Sequence, residues 1–199
     1  MPVPRSPGRP RLASRELLQE AAFELFQLKG YRATSVEQIA RTAGFSRATF
    51  FNCFSSKAEL FWLGTDALLA RLRDHLQARL AGKDAPSLNE AMLEYAGELR
   101  SAEVPWALQN LELIGAADDL VASGAGRVLE LAGMLRRYAE RRGERLASEP
   151  GDAALLRASA EREAAILTAL LLTALRAWID AGVGRGTLHD HLAPALLDP

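Results

Sequence analysis

An all-α protein is predicted by three features of the chain. Apolar residues recur at helical spacing along nearly all of it, each such stretch is bounded by capping residues or by Gly and Pro, and no alternating run bounded by hairpin turns occurs. A hydrophobic content of 49% over 199 residues suffices for packed cores. The layout divides into a basic arm over residues 1–13, a small helical head over 14–60 and a helical body over 61–199.

The elements follow in order. Leu18, Ala22, Leu25 and Phe26 mark a first helix, with Ser14 as its expected N-cap and Gly30 as its stop. Thr34-Ser35-Val36-Glu37 has the pattern of a capping box and predicts the start of a second helix, whose apolar face is Val36, Ile39, Ala40 and Ala43. Gly44 supplies a sharp turn, Ser46 caps a third helix, and Phe50 and Phe54 point together into a small core. Ser56-Lys57-Ala58-Glu59 predicts another box, opening a long helix to about Leu80. The linker Ala81 to Pro86 ends it, and Ser87 caps the next. Further breaks are expected near Val104-Pro105, Ser123 to Gly126, Glu149 to Gly151 and Gly182 to Gly186.

A net charge of −1 argues at first against a nucleic-acid partner, but the average conceals a split. Residues 1–60 hold nine Arg or Lys against five Asp or Glu, and residues 61–199 hold fifteen against twenty. No acid occurs from Met1 to Arg15 or from Gln38 to Ala58, so both stretches can approach phosphates without local repulsion. Two short helices joined by a tight glycine turn, the second capped and acid-free, match the geometry that sets a recognition helix in the major groove of double-stranded DNA. Periodicity alone is equally met by an ordinary helical hairpin.

The stretch from Thr34 to Leu60 decides between them. Its turn glycine Gly44, cap Ser46, Thr49, paired aromatics and Lys57 closely resemble the signature of TetR-type transcriptional regulators, over about residues 14–62. The resemblance implies a homodimeric repressor with a three-helix DNA-binding head and a helical body that binds a small molecule. Carried over by position, it implies that Ser46, Arg47, Ala48 and Thr49 at the start of the third helix belong to the DNA-binding surface, with Arg47, Ala48 and Thr49 facing bases and nearby phosphates, and that Asn52 lies along the groove. Lys57, Thr34 and Ser35 would meet phosphate. Arg47 can donate two hydrogen bonds to guanine, and the Ala48 methyl can meet a thymine methyl. Phe51 and Cys53 stand where relatives commonly carry Tyr and then Tyr or His, so two phosphate donors are missing and Phe51 contributes only its ring. Arg9 and Arg11, in a Gly8-Arg9-Pro10 arm resembling minor-groove hooks, are the expected compensation. Cys53 reads as a packing residue rather than a redox sensor.

In the body, Ala164 to Leu175 is apolar nearly all round and needs cover on two sides, which agrees with the family's use of its last helices, here about 160–197, for dimerisation. A pocket for an unidentified small-molecule effector is implied by the resemblance and weakly hinted at by Trp62, Met92, Tyr95, Trp106, Asn110, Met134, Tyr138 and Trp178, which serve a plain core equally well. His189-x-His191 lacks further assigned ligands, Arg136 to Arg145 is interrupted by acids and reads as a solvated face, and the Gly182 to Gly186 repeat lacks the strand context of a phosphate loop. The expectation is therefore no metal, no cofactor and no enzyme. The longest apolar run is too short for a bilayer, the single Cys fits a reducing compartment, and the basic Pro-rich opening has no apolar leader core, all pointing to the cytoplasm. Two other functions share the same residues: a small-molecule binder with a weakened DNA head, and a ligand-independent DNA-binding protein.

Overall fold

A computed structural model describes residues 11–110, 117–147, 153–182 and 184–197, with residues 11, 12, 106, 107, 117 and 153 described through their backbone alone. Among the described residues every regular element is helical, apart from an isolated bridge between Arg100 and Thr187. The chain forms two compact units, one of Met1–Leu63 with Asn110–Ser123 and one of Gly64–Gln109 with Gly124–Pro199. The first therefore takes in a segment that the sequence layout assigns to the body.

In the first unit, α1 (Arg11–Lys29), α2 (Val36–Thr42) and α3 (Arg47–Cys53) pack around Leu18, Ala22, Leu25 and Phe26, joined by Ile39, Ala40, Phe50 and Phe54. The rings of Tyr31 and Phe61 complete this core, with Phe26 5.2 Å from Tyr31 and 5.5 Å from Phe61. Three local expectations are corrected. Ser14 lies inside α1, 6% exposed, because that helix already begins at Arg11. The α2 cap is Ser35, not Thr34: Thr34 is buried, its hydroxyl donates to the Gly30 carbonyl at 2.9 Å, and so it satisfies the end of α1 instead. Ser35 Oγ accepts from Gln38 N–H at 3.2 Å and Gln38 Oε1 accepts from Ser35 N–H at 2.9 Å, one residue later than the expected box.

The third correction concerns the long helix expected from Ser56. A 3-10 turn, Ala58–Trp62, intervenes before α4 (Leu63–Ala81), and Lys57 before it makes no side-chain cap. In a 3-10 turn residues three apart eclipse, so Ala58 and Phe61 both face the core. Gln19 Nε2 donates to the Leu60 carbonyl at 2.7 Å and stabilises this tighter path.

In the second unit, α4, α5 (Leu88–Glu98), α6 (Trp106–Gln109), α8 (Ala153–Asp180) and α9 (Leu188–Leu197) are joined by α7 (Ala117–Leu146) from Gly124 onward. Leu72, Leu76, Met92, Tyr95, Leu135 and Trp178 lie in its core. Ser87 caps α5 as expected, in a box with Glu90. The expected break from Ser123 to Gly126 does not occur, because α7 is continuous through it. A helix tolerates glycine at about 1 kcal/mol each, and the stripe Leu120, Arg127, Leu131, Leu135, Tyr138 keeps helical spacing across the two glycines. The break at Glu149 to Gly151 lies outside the described residues. Gly182, Gly184 and Gly186, all at positive φ, turn the chain from α8 into α9. No described helix is long and apolar enough to cross a membrane.

Candidate nucleic-acid interface

The turn between α2 and α3 is built by backbone hydrogen bonds that close only on a left-handed residue. Phe45 N–H donates to the Ala40 carbonyl at 2.7 Å and Gly44 N–H to the Arg41 carbonyl at 3.1 Å, with Gly44 at φ +76°. This is the Schellman arrangement, and it satisfies the end of α2. Ser46 then caps α3, accepting from Thr49 N–H at 3.1 Å, with the two hydroxyls 3.0 Å apart.

This anchoring fixes which face of α3 is exposed. Phe50 and Phe54 are buried, their rings 5.6 Å apart, whereas Arg47, Ala48, Phe51 and Asn52 are exposed along one outward arc that carries no acid. Thr49 is half-buried. Arg47 is held in two ways: Nε lies 2.9 Å from Glu37 Oε1, and the guanidinium sits 5.3 Å from the centre of the Phe51 ring. Both partners of the ion pair are more than half exposed, so it contributes only about 0–1 kcal/mol and yields readily to a stronger acceptor. Sequence reasoning missed Glu37 as a neighbour of Arg47. Ten residues separate them, and only the crossing of α2 over α3 brings them together.

Lys57 and Thr34 are placed differently from the phosphate contacts expected of them. Lys57 Nζ donates to the carbonyls of Tyr31 at 2.5 Å and Thr34 at 2.9 Å and lies 3.9 Å from the Tyr31 ring centre. Partial burial lowers its pKa, and the Asp119 carboxylate works against that shift. Burial also raises the Tyr31 pKa, reinforced by its hydrogen bond to Asp119. Thr34 offers no exposed hydroxyl. Ser35 stays exposed, its Oγ and N–H both engaged with Gln38. Arg9 lies outside the described residues, as does the Arg11 side chain.

The residues expected to line an effector pocket are mostly core. Met92, Tyr95, Met134, Tyr138 and Trp178 are each at most 4% exposed. Tyr95 donates to the Leu68 carbonyl at 2.6 Å, Tyr138 to Pro86 at 2.8 Å and Trp178 to Gly186 at 3.2 Å. Trp62 and Asn110 belong to the first unit, where Trp62 Nε1 donates to Ser123 Oγ at 2.8 Å. The Trp106 side chain lies outside the described residues. Met134 and Tyr138 do border a groove between α4 and α7. His191 contacts the Arg185 carbonyl at 3.0 Å, and among the described residues no three possible ligands gather for a metal.

Residues 18–62 match the family model for bacterial regulatory proteins of the tetR family. A mycofactocin biosynthesis transcriptional regulator of Mycobacterium tuberculosis is 34% identical over 98 residues, covering 48% of each chain. An HTH-type transcriptional regulator, TcmR of Streptomyces glaucescens, is 29% identical over 144 residues, covering 68% of this chain and 64% of its own. The matches thus span about half the length of the first relative and under two thirds of the second. Among solved structures, Thermus thermophilus FadR, a TetR family transcriptional repressor in complex with lauroyl-CoA, superposes with TM-score 0.60 at 25% identity, covering 92% of this chain and 91% of its own. NalD, the secondary repressor of the MexAB-OprM multidrug efflux pump in Pseudomonas aeruginosa, shares the fold, with TM-score 0.52 at 21% identity and 94% of each chain covered.

Proposed function

Because this chain belongs to the tetR family of bacterial regulatory proteins, we propose that it is a homodimeric transcriptional repressor that binds a palindromic operator and is released by a small molecule. The observation that carries this reading is the exposed arc of α3, with Arg47, Ala48, Phe51 and Asn52 outward on a helix locked by Phe50, Phe54 and the Gly44 turn. Arg47 would leave Glu37 for a guanine edge, where a bidentate contact gives about 1–3 kcal/mol of discrimination. Lys57, engaged with two carbonyls, would act mainly by fixing the α1–α2 junction against α3's neighbour turn.

For the dimer, α8 and α9 offer exposed apolar residues, with Ile166 57% and Leu197 67% exposed. For the effector, the Thermus repressor is in complex with lauroyl-CoA, which supports a ligand-binding body here. Release would follow from linkage: an effector that prefers a body conformation poorly matched to DNA weakens DNA binding by its differential affinity. The helix α7, whose first turns belong to the head unit and whose remainder belongs to the body unit, supports it as the coupling element.

The test is binding of the dimer to DNA upstream of its own gene, measured against random duplex over a salt series. A preference of at least about a thousandfold for one palindromic site is expected. Equal affinity for both duplexes at moderate salt would overturn the repressor. Phe51, Cys53 and the engaged Lys57 favour one second reading, a small-molecule binder with a weakened head, and that equal affinity is the outcome it requires.

A further inference from the structure

We infer that the groove between α4 and α7 binds a small organic anion, with a carboxylate or phosphate head group on an apolar body. The groove measures about 130 Å³ and lies within the body unit. Leu76, Met134 and Tyr138, all at most 4% exposed, line it with Leu80 and the polar Gln77, and Arg73, Arg137 and Arg141 form its rim. The Tyr138 hydroxyl is engaged with the Pro86 carbonyl, so the ring presents an apolar wall.

The arginines of α7 fall into two groups. Arg136 pairs with Glu140 at 2.6 Å, Arg142 donates to the Ala85 carbonyl at 3.1 Å, and Arg145 donates to the carbonyls of Leu80 and Gly82. These three have internal work, tying α7 to itself and to the loop after α4. Arg137 and Arg141 have none: among the described residues neither has a carboxylate partner or a hydrogen bond. On the rim, Arg73 is already paired with Glu130, so the surplus charge belongs to these two.

Their spacing sharpens the point. Residues four apart share a helix face, and like charges there destabilise the helix. A solvated arginine face is ordinarily interleaved with acids, as Arg136 is with Glu140. Here two guanidiniums without a carboxylate partner among the described residues flank a depression lined by Leu76, Leu80, Met134 and the Tyr138 ring beside Gln77. Gly133 makes room for one of them, since a Cβ at that position would lie 3.2 Å from Arg137 Nη1. A guanidinium presents a planar fork of donors that matches a carboxylate or phosphate bidentately. The volume is roughly four times a water molecule's share of about 30 Å³, enough for a head group and its first carbons. A nucleic acid needs a broader basic field, and Glu130, Glu140 and Glu144 on the same helix oppose one.

The site names the class of effector, and only its consequence for DNA rests on the proposed function. Calorimetric titration of the full-length protein with octanoate and, separately, octyl phosphate tests it. One molecule per chain is expected to bind saturably, the tighter of the two identifying the head group. Octanol and inorganic phosphate should each bind at least about tenfold more weakly, because each supplies half of the recognition. The double variant Arg137→Gln/Arg141→Gln should lose at least about tenfold in affinity with an unchanged thermal midpoint, each single variant losing less. Unaltered affinity in the double variant, octanol binding as tightly as octanoate, or no binding of either amphiphile would overturn the site. So would a double variant that binds random duplex more weakly while wild type takes up no amphiphile, which would make the face a nucleic-acid patch. Operator affinity is measured in parallel. Anion binding without DNA release upholds the groove and sinks the effector mechanism, so the two failures are distinct.

Discussion

Arg47 and Phe51 show what a single aromatic position does on the proposed reading helix. The Phe51 ring is 46% exposed and underlies the guanidinium of Arg47, which would limit the rotamers that Arg47 must abandon on reaching a base in the proposed complex. Phe51→Ala is expected to weaken operator binding about two- to fivefold, in line with an exposed cation–π contact, measured by fluorescence anisotropy. The effect should vanish when Arg47 is already Ala. Phe51→Tyr keeps the shelf, restores a donor and should tighten binding about two- to tenfold, one neutral hydrogen bond's worth. A second residue pair belongs to folding. Tyr31→Phe removes the donor to Asp119 and should destabilise the protein by about 1–2 kcal/mol in urea. The Glu37 to Arg47 contact could not be read from the chain, because spacing along a sequence carries no information about the crossing of two helices.

At the level of elements, the caps separate what local chemistry decides from what packing decides. Ser87 and Glu90 are isolated from competing hydroxyls, and their box forms where the pattern puts it. Ser87→Ala should cost about 1 kcal/mol. The hydroxyl and amide of Ser87 hold the Glu90 carboxyl below the ordinary carboxylate range. With the folded pKa depressed, this stabilisation is complete above the unfolded value, about 4.3, and is lost as pH falls through the folded one. The stability gap between wild type and Glu90→Gln should therefore be constant above about pH 5 and close on acidification, as read from chemical denaturation across pH. Elsewhere neighbours overrode the local signal. Thr34 and Ser35 are equally able to cap, and burial of Thr34 against the end of α1 chose Ser35. Ser56-x-x-Glu59 reads as a helix start, yet burial of Ala58 and Phe61 tightened that turn. Gly124 and Gly126 look like a break, yet buried and half-buried positions keep helical spacing through them. Helical class, the Gly44 turn and the exposed arc of α3 were legible because each rests on contacts within one short stretch. The anion groove was not, since its rim is contributed by helices some sixty residues apart in the chain.

For the molecule as a whole, the proposed pairing of two chains would convert a weak head into a specific one. Ile166→Glu sets a charge in the exposed apolar face of α8 and should yield a monomer in sedimentation velocity, with operator affinity falling towards the random-DNA level and the salt slope roughly halved as one half-site is lost. The first unit has a further consequence for engineering. Its compact body is not contiguous in sequence: Ser123 meets Trp62, and Asp119 meets Tyr31, from beyond the whole stretch of Gly64–Gln109. Chimaeras that swap heads between regulators by a single splice after Leu63 would therefore strand both partners. A transplant that keeps its native stability needs two junctions, the second after Ser123, which makes the head a split cassette.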